Sequence, residues 1–155
     1  MIRSSAVFSG IFFRQWLLIS GLAMVLLAYL LISHRWGGQL KLAYAESERE
    51  LMRSIFYGLA IILFPVTNLL RFILLRLNQT MVSNKTAKQR YALTVMVCLL
   101  LTQLVPSFGF IMFMLGDDFN TLYIFSVLGG LGLFLHRPKL SELMAIEQAL
   151  VAKTP

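Results

Sequence analysis

The chain has 155 residues, 58% of them hydrophobic and 14% charged, with a mean hydropathy of +0.76, which leaves too little polar material to cover a soluble globular domain. Its composition is that of an all-α integral membrane protein. The 14 Lys and Arg against 7 acids give a net charge of +7; these positives stand beside apolar runs, where they set topology and meet anionic phospholipid, so a nucleic-acid surface is not expected.

Arg3 and Arg14 precede an uncharged run over residues 15–33, the first predicted span. A basic start followed by an apolar run also describes a signal peptide, with Ala43-Tyr44-Ala45 as its cleavage site. The run is longer than the roughly 7–15 apolar residues of an export signal, and the alanines lie well beyond its end, so an uncleaved helix is expected. Trp36 and Gly37-Gly38 predict an interfacial anchor and a turn. Glu46 with Arg49, and Glu50 with Arg53, are spaced to pair on a helix surface for about 0.2–0.5 kcal/mol each. The next helix is therefore predicted to begin in water near Ala43 and to run on into the membrane.

The second span covers residues 54–77 if Arg71 and Arg76 snorkel to the interface. Pro65, with Thr67 and Asn68 after it, predicts a kink. The connection from Asn78 to Arg90 carries Lys85, Lys88 and Arg90 and no acid. Glycosylation tripeptides occur at Asn78 and Asn84, but the basic loop is predicted on the wrong side of the membrane for them.

Residues 91–116 form the third span, 26 residues without a charged side chain, and the rest of the chain is arranged around it. Thr94, Cys98, Thr102 and Pro106 recur every four residues and predict a thin packing face, with Gln103 and Ser107 beside it. After a turn at Gly116-Asp117-Asp118-Phe119-Asn120, residues 121–136 make a short fourth span. Its Ser126 and Gly130, with Gly129 and Gly132, offer a complementary face, and a close antiparallel hairpin is expected. Pro138 suits the first turn of an amphipathic helix over residues 138–151, lying on the bilayer or docking on a partner.

Lys and Arg number two before the first span, four in the first connection, five from Arg71 to Arg90, none in the Asp117-Asp118 turn and three after the last span. Both termini are therefore expected in the cytoplasm of an inner, plasma-type membrane, although the four positives of the first connection oppose the rule. This topology puts His34 and His136 on opposite sides. Cys98, the single cysteine, lies inside the third span, so one chain has no disulfide framework or thiolate metal cluster. The sequence marks of metalloprotease, hydrolase and nucleotide chemistry do not occur, and no cofactor, metal or catalytic residue is expected.

The last two spans superficially resemble a rotor-ring subunit of a rotary ATPase, a Gly-rich hairpin with a polar turn. Such a subunit needs a mid-membrane carboxylate, and Pro106-Ser107-Phe108-Gly109 has none, so membership is not assigned. What remains is the expectation of a single membrane domain acting as a non-catalytic subunit, assembly factor or scaffold. It would dock other integral membrane subunits, in a hetero- or homo-oligomer, through its small-residue faces. The alternative is a transporter or lipid-handling component in which Arg71, Asn68 and Gln103 line a headgroup path.

Overall fold

A computed structural model describes residues 2–42, 44–81 and 85–152. Five helices follow one another: α1 (Ile2–Leu40), α2 (Glu46–Thr80), α3 (Ala87–Met114), α4 (Phe119–Leu135) and α5 (Leu140–Val151). Three of them, α1 from Phe13 onward, α2 and α3, are long and apolar enough to cross a membrane; α4 and α5, bent by 40° at their break, make a fourth if taken as one span. Alone, α4 reaches about 26 Å by helical rise, somewhat short of a hydrocarbon core of roughly 30 Å.

The uncharged run of α3 is the centre. Val95, Cys98, Leu99, Val105, Met112 and Phe113 are buried along its length, and it packs on all four other helices. Tyr29 stacks on Phe110 and Gly37 lies against Phe113, while Leu18 and Leu22 meet the cluster of Tyr91, Val95 and Leu99, so α1 runs parallel to α3. Phe56 stacks on Phe108, and Leu75 joins the Tyr91 cluster, so α2 runs the other way.

The helix α1 does not turn at Gly37-Gly38 but continues to Leu40. A Cβ on Gly37 would come 2.6 Å from the Phe113 ring, so this glycine serves a close helix approach within an unbroken helix. The second helix begins at Glu46, and the expected start at Ala43 lies outside the described residues. It remains helical through Pro65, and Thr67 Oγ1 donates to the Leu63 carbonyl at 2.7 Å. Asn78 belongs to its final turns, while Asn84 lies outside the described residues.

The α3–α4 hairpin is close, because side chains of one helix occupy the gaps left by glycines of the other. A Cβ on Gly109 would meet Phe125 Cβ at 2.6 Å, one on Gly129 would meet Pro106 Cδ at 2.6 Å, and one on Gly132 would strike Thr102 Cγ2. Thr94, Cys98, Thr102, Pro106 and Ser126 are all buried. Gly130 is not part of the face: it is exposed, with no atom within 4 Å of its Cβ direction. The facing row on α4 is Ser126, Gly129 and Gly132, three apart, which turns Gly130 away.

The amphipathic tail also finds its partner within the chain. Leu143 and Ile146 are completely buried with Tyr91, Val95, Leu99 and Leu133, and α5 packs on α2 and α3 rather than lying free on the bilayer. Pro138 precedes the helix, which starts at Leu140.

Candidate functional site

Where α4 ends, the last carbonyls of its backbone have no intrahelical donor. Arg71 supplies one of the missing bonds, at the C-cap, and binds the next carbonyl as well. Its Nη1 donates to the His136 carbonyl at 2.7 Å, and its Nη2 donates to the Arg137 carbonyl at 3.0 Å and to Glu142 Oε2 at 2.8 Å. One guanidinium thus closes the C-terminus of α4, where a cation is favoured, and joins it to the first turn of α5. The neighbouring break is held by Tyr91, whose hydroxyl donates to the Lys139 carbonyl at 2.9 Å and accepts from the Lys139 amide at 2.6 Å.

This corrects the expectation of a snorkelling Arg71: the residue is 6% exposed and turned into the protein. An interrupted helix leaves carbonyls bare, and they outcompete the interface for its donors. Nor do Asn68 and Gln103 join it. Asn68 is exposed. Gln103 is buried one turn before Ser107, whose hydroxyl meets Tyr29 of α1 at 3.3 Å, so it sits on the α1 side of α3, away from Arg71. Its amide oxygen and nitrogen have no hydrogen-bond partner among the described residues.

A second tie stands at the other end of the bundle. Arg53 makes a two-pronged ion pair with Asp117, Nε meeting Oδ2 at 3.0 Å and Nη2 meeting Oδ1. Arg49 Nη1 donates to the Gly116 carbonyl at 2.7 Å, Lys41 Nζ to the Asp117 carbonyl at 2.8 Å, and the Leu42 amide to the Met114 carbonyl at 2.8 Å. Gly116, at φ +96°, makes the turn possible; a Cβ there would lie 2.6 Å from the Leu42 carbonyl oxygen. Burial pushes the Asp117 carboxyl up, but bonds from Arg53, the Asp118 amide and the Thr121 hydroxyl outweigh it and hold the group below the usual carboxylate value.

The expected Glu46–Arg49 pair forms at 3.0 Å. The expected Glu50–Arg53 pair gives way to Asp117, because a buried carboxylate that accepts two bonds binds a guanidinium better than an exposed one a helical turn away. Sequence spacing reveals partners within a helix and is blind to this one, 64 residues distant.

His34 stacks on Phe119 and its Nε2 meets the Tyr123 hydroxyl at 2.8 Å, whereas His136 caps the far end of α4. The length of α4, about 26 Å, lies between them. Among the described residues no three His, Cys, Asp or Glu side chains approach closely enough to hold a metal ion. No family model, curated protein or solved structure matches the chain.

Proposed function

We propose that the chain is a non-catalytic small subunit, assembly factor or scaffold of a larger bacterial inner-membrane complex. The observation that carries this reading is the use made of the strong polar groups. Arg71, Arg53 and Asp117 are committed to backbone carbonyls and to charge partners at the helix joints, as a rigid block of helices requires.

The surface for partners differs from the one the sequence suggested, since the small-residue faces of α3 and α4 are consumed by their own hairpin. Docking falls instead to α1 and α2. Only 6% of the apolar window of α1 and 17% of that of α2 is buried, against 44% for α3. Leu17, Met24 and Leu31 on α1, and Ile61, Ile62 and Phe72 on α2, face outward and are available to other integral membrane subunits. Both termini are assigned to the cytoplasm. In support, three of the four cations that oppose this orientation, Lys41, Arg49 and Arg53, are engaged with the α3–α4 turn and are accounted for by packing.

Photo-crosslinking residues placed at Leu31 and Ile62, with one at the fully buried Val95 as internal control, test the reading in native membranes. Discrete adducts with another membrane protein, or with a second copy, from Leu31 or Ile62 are expected. A chain that forms none and purifies as a lone monomer in mild detergent contradicts it.

A further inference from the structure

At the end of the bundle that holds the start of α3, a groove of about 470 Å³ opens between α1 and α3, lined by Arg14, Gln15, Leu18, Lys88, Gln89 and Met96, among others. Its two walls belong to parallel helices, and both change character in the same direction. On α1, Arg14 and Gln15 give way one turn later to Leu18; on α3, Lys88 and Gln89 give way to Ala92 and Met96. The groove is therefore cationic and amide-lined at its mouth and apolar for the next one to two turns, roughly 6–12 Å toward the membrane interior. No acid lines it.

Two further features concern the mouth. The N-terminus of α3, closed by the Thr86–Gln89 capping box, brings the positive end of a 28-residue helix to it. And Gln15, only 5% exposed, keeps both its amide oxygen and its amide nitrogen without a hydrogen-bond partner among the described residues. A buried carboxamide with a donor and an acceptor still to place is costly unless something completes it.

We propose that this groove is a seat for one anionic phospholipid, its phosphate between Arg14 and Lys88, its glycerol-ester region on the Gln15 carboxamide, and an acyl chain along Leu18, Ala92 and Met96. The charge gradient selects the occupant. A free anion has no use for the apolar floor, and an apolar helix has none for the two cations and the carboxamide. The seat is independent of the scaffold reading, since a structural lipid suits a scaffold and a transporter alike.

The test uses the full chain in phosphatidylcholine vesicles doped with spin-labelled phosphatidylglycerol, with spin-labelled phosphatidylcholine as the neutral reference. The motionally restricted fraction reports relative association. Wild type is expected to prefer phosphatidylglycerol, and Arg14→Gln or Lys88→Gln each to lower that preference roughly fivefold. Gln15→Leu, which leaves every charge in place, is expected to reduce it as well, and Met96→Trp to displace the restricted chain. Arg76→Gln, at an exposed cation on α2, should leave it unchanged. Equal association of the two lipids with wild type overturns the proposal. So does a preference that follows total charge but ignores Gln15→Leu and Met96→Trp, which would mean diffuse attraction without a built seat. Displacement by millimolar inorganic phosphate would reveal an anion site and overturns it too. Should the charge variants lose helix by circular dichroism, Gln15→Leu and Met96→Trp decide the matter alone.

Discussion

Arg71 shows how a residue's role can invert between sequence and structure. Six residues from the end of an apolar run, an arginine is expected to reach for the headgroups. The expectation fails because the α4–α5 break, set by Pro138 far along the chain, leaves carbonyls in reach, the first of them 65 residues away, that no local pattern announces. Arg71→Ala strips three hydrogen bonds and leaves Glu142, 19% exposed at its side chain, without its cation. A loss of about 3 kcal/mol is expected, against about 1 kcal/mol for Glu142→Gln, which keeps an acceptor in place. Unfolding in detergent, followed by circular dichroism, compares the two; equal and negligible effects would mean that Arg71 does not hold the joint.

The Asp117–Arg53 pair makes a prediction about pH. The folded carboxyl titrates below its unfolded value of about 3.9, so its contribution is fully present above that value and is lost as pH falls through the lower folded one. Asp117→Asn is expected to lower stability at neutral pH and to flatten this acid limb. A variant as stable as wild type at pH 7, with an unchanged acid limb, would remove the pair from the account.

At the scale of the element, the third helix and its hairpin with the fourth were legible because small residues at helical spacing can hardly serve any other purpose in lipid. The stripe Thr94, Cys98, Thr102, Pro106 is buried as its period indicated. Rotational phase was harder. With glycines at 129, 130 and 132, sequence cannot say which two face α3, and the structure excludes Gly130. Substitution separates them. Gly132→Ala drives a methyl into Thr102 and is expected to destabilise by about 1–3 kcal/mol through overpacking, while Gly130→Ala is expected to be neutral or to gain about 0.5–1 kcal/mol from helix propensity. The reverse order would rotate α4 about its axis. The tail illustrates a different limit. Its period gave a helix with one apolar face, but nothing in twelve residues states whether that face meets lipid, a partner or the parent chain, and here it closes over Tyr91 and Leu99.

For the whole molecule, the two polar joints account for cations that the proposed topology alone leaves on the wrong side. Cations in the first connection oppose the positive-inside pattern, yet Lys41, Arg49 and Arg53 stitch that connection to the Gly116-Asp117 turn, and Arg71 with Tyr91 stitches the opposite end. Between the joints lie helices whose outward faces are apolar, and the proposed role in assembly rests on those faces meeting lipid and other subunits with both termini in the cytoplasm. The most direct measurement is labelling by a membrane-impermeant thiol reagent in a Cys98→Ser background, with single cysteines at Asp118 and Gln148, both exposed at opposite ends of the bundle. Asp118→Cys is expected to react in intact cells and Gln148→Cys only after permeabilisation; reaction of both from the same side, or of Gln148→Cys alone from outside, would contradict the arrangement.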